Sequence, residues 1–322
     1  SPLHALVTAL LFALTGHTVL AYKVTALCTY LLTTFIVWQL FRLHPRVQLL
    51  ALVLVALPPG VLLWVFGGLE TPLLMLVVTA ASAIVYRQAT SATSQNNAIL
   101  TAIFVLAGLA FLLRFDSILF FIPLMAAGMM KAKSIRSVSV AITMGAVLPV
   151  AWLIFAYQYY GDVLPTSFYE KTPQLTATVL EKNLLYTLSY LLYSGIVVAL
   201  LLPAMTYAPF DAVSKAYGRS VRDTWCLWVG LSLVLIYGLT MATSHMMFSF
   251  RHFVPYTPAA AIVALAIFVR ASELQPRRYL FTVAVTAMVI AQVYQHQVTM
   301  SGSLNGLAPT GEFRNWGVRK YN

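Results

Sequence analysis

Residues 138–171 read VSVAITMGAVLPVAWLIFAYQYYGDVLPTSFYEK. Positions 138–157 carry no charge, and a run of roughly 20 apolar residues is what an α-helix needs to cross a hydrocarbon core. Tyrosines, a Gly161-Asp162 turn, a Leu164-Pro165 pair and Lys171 follow at once. The run predicts a membrane helix, and the tail predicts a polar, aromatic segment of fixed direction at its mouth. Gly161 and Asp162 end the helix, and Pro165 biases Leu164 toward extended backbone.

The rest of the chain agrees with that reading. Of 322 residues, 60% are hydrophobic and 9% are charged, against about 25% charged in a soluble domain. With no water to satisfy a spanning backbone, helices are the expected form. The continuous runs lack the short alternating segments of a β-barrel. The expected fold is therefore all-α, a polytopic transmembrane helical bundle. Its membrane segments are placed at 22–41, 47–65, 71–87, 98–113, 117–130, 138–157, 184–207, 225–243, 254–270 and 279–296. Segments 98–113 and 117–130 are short. They read either as a hairpin that reaches part of the way or as parts of two longer helices. Residues 3–14 are too short to span and read as an interfacial or re-entrant piece. Residues 1–298 form the membrane domain, and 299–322 begin an extracytoplasmic C-terminal region. The start, SPLHALVTALLFALTG, lacks the charged leading region of a signal peptide. It predicts that the chain continues N-terminal of Ser1.

The net charge of +11 comes from basic residues scattered through short loops, without the dense basic face of a nucleic-acid binder. Alternate loops carry Arg42, Arg46, Arg87, Lys131, Lys133, Arg136, Lys215, Arg219, Arg222, Arg270, Arg277 and Arg278 on one side, against Arg114, Lys171, Lys182 and Arg251 on the other. The positive-inside rule makes the first set cytoplasmic. The outer loops are then FGGLETP (66–72), RFDS (114–117), YGDVLPTSFYEK (160–171) and SHMMFSFRHFVPY (244–256). Cys28 and Cys226 lie in apolar runs and read as buried small hydrophobes rather than a disulfide or metal pair.

The outer loops hold the candidate site. Glu70 opens a helix after Gly67 and Gly68. It reads either as a first-turn acid complementing the helix dipole or as a carboxylate for a ligand hydroxyl. Arg114 and Asp116 interrupt an apolar stretch, where charges are costly and usually paired or functional. The plainer reading is a turn with snorkelling ends. Being two apart, they share no helix face and need not touch each other. Tyr160, Ser167, Tyr169 and Lys171 form either an aromatic belt with a headgroup-facing lysine or a phosphate grip. Arg251 and His252 precede Tyr256 and Pro258, and arginine suits bidentate recognition of phosphate. His245 and His252 are seven apart, which is not a zinc-ligand spacing. No cofactor is read from the residues, and a divalent metal stays open.

Taken in order, five words of the sequence form a pattern: SPLHALVTALL (1–11), GGLETPL (67–73), LLRFDSIL (112–119), YYGDVLPTSFYEK (159–171) and RHFVPYTP (251–258). They resemble the motifs of polyprenyl-phosphate-dependent membrane glycosyltransferases of the GT-C fold, and within these the arabinofuranosyltransferase-type group, the mycobacterial terminal arabinofuranosyltransferases among them. The resemblance spans nearly the whole chain. His4 stands where Trp is common, Phe115 where Pro is common and Thr166 where Asn is common.

The resemblance implies transfer of a sugar, arabinofuranose in the first instance, from a polyprenyl-phosphate donor to a hydroxyl of a cell-envelope glycan or glycolipid. The site would face the exterior of a bacterial plasma membrane. Lys171, Arg251 and Arg114 would stabilise the leaving phosphate, while Glu70 and Asp116 would bind sugar hydroxyls or orient neighbours. The family's catalytic carboxylate belongs to an acidic pair in a first outer loop, expected upstream of Ser1. The partners implied are donor, acceptor and lipid bilayer, with no nucleic acid. The competing readings are a lipid-linked-sugar flippase or transporter, and an O-glycan ligase using a diphosphate-linked donor. Against transport, no internal repeat is visible and the charged words lie at one face rather than at midplane.

Overall fold

The computed structural model describes residues 1–67, 69–90, 97–163, 176–206, 210–240, 250–271 and 278–301. Among the described residues all regular structure is helical. The helices are α1 (Pro2–Thr15), α2 (Thr18–Leu40), α3 (Pro45–Val55), α4 (Pro59–Phe66), α5 (Thr71–Thr90), α6 (Asn97–Leu113), α7 (Ile118–Met130), α8 (Ile135–Tyr160), α9 (Ala177–Tyr193), α10 (Ile196–Thr206), α11 (Phe210–Asp223), α12 (Trp225–Thr240), α13 (Thr257–Ala271) and α14 (Arg278–Ser301). Single 3-10 turns, Phe115–Ser117 and Val254–Tyr256, lead into α7 and α13.

Prolines and caps set many of the boundaries. Pro2, Pro45 and Pro59 stand in first helical turns, where the missing N–H has no partner to lose. Ser134 and Thr176 cap α8 and α9 by accepting from Ser137 N–H and Val179 N–H. Gly161 ends α8 at φ 75°, a left-handed position that glycine adopts without steric cost.

Two expected single segments are broken. Residues 47–65 contain Pro58-Pro59, whose rings remove two helical donors, and α3 meets α4 at 61°. Residues 184–207 break at Ser194-Gly195, with Gly195 at φ 73° and α9 bent 52° from α10. A helix absent from the sequence expectation, α11, occupies what reads as a charged loop, and it turns 81° into α12. Segments 98–113 and 117–130 remain short as α6 and α7, and α14 extends to Ser301.

Four described helical spans are long and apolar enough to cross a membrane, or up to seven if each bent pair is one span. That is compatible with a multi-pass membrane protein. Burial separates the centre from the rim. In Val254–Ala271, 89% of the apolar window is buried, whereas in Ile135–Tyr160 only 6% is. Val140, Ile142, Met144, Val147, Leu148, Val150 and Ile154 all face outward from α8, more apolar surface than a water-soluble monomer leaves bare. Cys28 is exposed and Cys226 buried, and both are free. The expectation of two buried thiols therefore holds for Cys226 alone.

α8 lies closest to α6. A side chain at Gly145 would place its Cβ 2.5 Å from the carbonyl oxygen of Phe104, and one at Gly108 would overlap the carbonyl of Gly145. Small residues permit this approach of two backbones. The helices that position the polar cluster are α5, α7 and α13. Glu70, Asp116 and His252 precede their N-termini, while Arg87, Lys131 and Arg270 stand at or just beyond their C-termini. Two carboxylates thus stand at helix N-termini at one end of the bundle and three cations at helix C-termini at the other, the arrangement helix dipoles favour.

Candidate functional site

Glu70 is held at the start of α5 by the break after α4, and its carbonyl accepts from Leu74 N–H at 3.0 Å. Its carboxylate is nearly buried and takes a hydrogen bond from Arg251 Nη2 at 3.0 Å. Burial alone would make Glu70 a weaker acid and raise its pKa. The positive charges of Arg251 and Arg114 outweigh that effect and hold the carboxyl below its ordinary range. The Arg251 guanidinium also lies 5.3 Å above the Trp64 ring of α4, within cation–π range. α1 reaches the same end: Leu3 packs against the main core, and the Glu70 carboxylate acts electrostatically on His4.

Arg114 and Asp116 do touch, a contact that their spacing left open. Arg114 leaves the helix with φ −156° and ψ 123°. This extended step points its side chain back over the 3-10 turn. Nε donates to Asp116 Oδ1 at 3.0 Å and Nη2 to Oδ2 at 2.6 Å. The pair is bidentate and nearly buried, with 10% and 13% of the side chains exposed. Such pairs add directional bonding to charge neutralisation.

His252 completes this group. Its side chain is 1% exposed, and Arg114 Nη2 lies 3.1 Å from its Nδ1. A guanidinium can only donate, so Nδ1 accepts. The proton then sits on Nε2, which donates to Val234 carbonyl at 3.3 Å. Burial, then the neighbouring Arg114 charge, push His252 down to about 4, with Asp116 offsetting only part. Asp116 Oδ2 is 3.5 Å from Nδ1, an ion-pair separation, but the ring is neutral at pH 7. The two groups are better described as sharing Arg114. The backbone N–H of His252 donates to Tyr186 hydroxyl at 3.4 Å, and Arg114 Nη1 approaches Arg251 carbonyl at 3.5 Å.

Aromatic packing fixes the turn that carries Arg251 and His252. Phe253 stacks on Tyr190 at 4.8 Å and lies 5.4 Å from Tyr186. Gly238 of α12 lets Phe253 and His252 approach where any side chain would overlap the Phe253 ring. Tyr190 and Thr257 hydroxyls bond at 3.0 Å. Phe250, next to Arg251, has φ 61°, a left-handed conformation costly for a bulky residue and common beside functional groups.

Glu70, Arg114, Asp116, Arg251 and His252 are therefore brought together from three sequence-distant loops. Tyr160 is 65% exposed at the end of α8, with ring contacts to Phe155 and Tyr159 of its own helix. Ser167, Tyr169 and Lys171 lie outside the described residues, as does His245. Sequence reasoning did not single out Trp64, Tyr186 or Gly238. An isolated glycine within an apolar helix is a signal for close approach. Trp64 and Tyr186 carry no such mark, being ordinary aromatic residues in apolar segments. Among the described residues no group of three His, Cys, Asp or Glu side chains is placed to hold a metal.

The two arginines differ chemically. Arg114 has its donors engaged by Asp116 and His252. Arg251 keeps 20% of its side chain exposed, and among the described residues its buried Nε has no hydrogen-bond partner. A buried donor left unpaired is costly, and an anion would satisfy it. No protein-family model, curated protein or solved structure matches the chain.

Proposed function

We propose that the chain is the membrane part of a glycosyltransferase built as a GT-C-like bundle. It moves a sugar, arabinofuranose in the first instance, from a polyprenyl-phosphate donor to a hydroxyl of a cell-envelope glycan or glycolipid. The membrane is crossed about ten times, and the site faces the exterior of a bacterial plasma membrane. The observation that carries the reading is the gathering of Glu70, Arg114, Asp116, Arg251 and His252 at the end opposite the basic helix termini, with Arg251 Nε unpaired. The positive-inside rule turns that end outward.

In this reaction the acceptor oxygen bonds to the anomeric carbon, and the bond from that carbon to the phosphate oxygen breaks. The phosphate leaves with the electron pair, and the hydroxyl proton passes to a carboxylate base. The resemblance assigns that base to an acidic pair in a first outer loop. Arg251 and Lys171 stabilise the departing phosphate, and Glu70 orients Arg251. Asp116 and His252 fix Arg114, and Arg114 in turn steadies the backbone at Arg251. Arg114 and His252 thereby serve as positioning residues, a narrower role than direct substrate contact.

The test is product formation by the full-length protein purified in detergent, with polyprenyl-phosphate arabinose and a glycan acceptor. New glycoside, lost in Lys171→Ala and Arg251→Ala, is the expected result. Absence of any product across mono- and diphosphate donors overturns the reading and favours a transporter, because a flippase forms no glycoside. Product from the diphosphate donor alone overturns it in favour of a ligase.

A further inference from the structure

The strongest feature outside the site is α11. Its inner face, Val213, Ala216 and Ser220, is buried, and the helix packs against α13. Its outer face carries Lys215, Arg219 and Arg222, all exposed. Spaced four and three apart, they form one stripe. Among the described residues Lys215 and Arg219 have no acidic partner. Asp223 is taken by Arg270, leaving Arg222 a 3.9 Å approach to it. The 81° turn between α11 and α12 sets α11 across the axis of an apolar helix rather than along it. It does so at the end of the bundle where Arg87 and Arg270 close α5 and α13.

We propose that α11 is an interfacial helix that binds the phosphate headgroups of anionic phospholipids through Lys215, Arg219 and Arg222. This rests on the chain spanning a membrane but not on its catalysing transfer. A helix lying in the interface plane, with an anchored face and a cationic stripe, is the arrangement that captures anionic headgroups. Each cation near such a surface contributes enough that three together change lipid retention by about tenfold or more. The scattered cations elsewhere set topology. These three differ in sharing a folded, exposed stripe, in which the helix's own acids, Asp211 and Asp223, form no ion pair with Lys215 or Arg219 among the described residues.

Native mass spectrometry of the full protein released from detergent tests this. The protein is incubated with phosphatidylglycerol or phosphatidylcholine, and retained lipids are counted. Wild type is expected to retain phosphatidylglycerol preferentially, and Lys215→Gln/Arg219→Gln/Arg222→Gln to lose that preference about tenfold. Lys215→Arg, which keeps the charge, should retain it. Equal retention of phosphatidylglycerol by wild type and the triple variant would overturn the proposal and leave the cations to topology alone. A triple variant that fails to fold is replaced by Arg219→Gln, whose expected loss is smaller but of the same sign. A protein that stays monodisperse without detergent would overturn the membrane reading itself, a separately visible outcome.

Discussion

The Arg114 guanidinium is gripped by Asp116, two residues away, and by His252, 138 residues away. One cation thus ties the α6–α7 turn to the turn that begins α13. Breaking a buried pair from one side leaves an uncompensated charge and costs about 3–5 kcal/mol. Asp116→Ala is expected to lose stability of that order. Thermal unfolding in detergent measures it, and a melting temperature equal to wild type would remove the pair from any structural role.

His252 offers one acceptor and one donor in fixed places. Glutamine can supply both through its amide, so His252→Gln should keep most of the stability that His252→Ala loses. The expected loss for Ala is about 1–3 kcal/mol, the cost of stranding buried partners. Equal losses for the two variants, by the same unfolding assay, would count against the tautomer assigned here.

The same imidazole predicts a pH dependence. Its folded value lies at about 4 against 6.5 for the free group. Between these values the unfolded chain binds the extra proton, so stability rises with pH there. The contribution is fully present above about 6.5 and disappears as pH falls toward 4, amounting to about 3 kcal/mol. Glu70, held low, loses its contribution in the same direction at more acidic pH. Subtracting the pH profile of His252→Gln from that of wild type isolates the histidine. A flat difference between pH 4 and 6.5 would contradict a buried neutral ring.

Glycines give a contrast within one molecule. At Gly145 a Cβ would meet the Phe104 carbonyl at 2.5 Å, a backbone atom that cannot turn aside. Gly145→Ala should destabilise by about 1–3 kcal/mol or more. Gly218, inside α11, has nothing within 4 Å of its would-be Cβ. Gly218→Ala should stabilise by about 0.4–1 kcal/mol through the unfolded state. Opposite signs in thermal unfolding are the expected result.

The helices were legible in the sequence because apolar runs and charged breaks record where backbone must satisfy itself. Leu57-Pro58-Pro59 and Ser194-Gly195 are visible punctuation, yet a break within an apolar run looks the same whether it kinks one span or separates two. α11 was hidden because Lys215, Arg219 and Arg222 read as loop charge, although Val213, Ala216 and Ser220 recur at helical spacing. At the site, Glu70, Arg114, Asp116, Arg251 and His252 could be chosen as residues out of place in apolar surroundings. Their partners could not be chosen. Whether Arg114 meets Asp116 depends on one extended residue, and whether it meets His252 depends on how α7 and α13 pack. Neither is written in local pattern.

Among the described residues of the site, Arg251 is the cation left with capacity to bind. Glu70 takes Nη2, Trp64 lies against the guanidinium, and Nε is buried without a partner. If a phosphate is its ligand, lysine is a poor substitute, since a single ammonium cannot hold Glu70 and a phosphate in one plane. Arg251→Lys should therefore lower kcat/KM for a polyprenyl-phosphate donor nearly as far as Arg251→Ala does, by about 100-fold. Glu70→Gln keeps a hydrogen-bond acceptor but removes its charge. Its loss should be smaller and should appear mainly in kcat, because the guanidinium remains able to bind but loses its fixed orientation. Steady-state kinetics of the three variants, with unfolding curves to confirm that each is folded, separate the roles. A folded Arg251→Lys with wild-type kcat/KM would show that Arg251 does no more than neutralise Glu70.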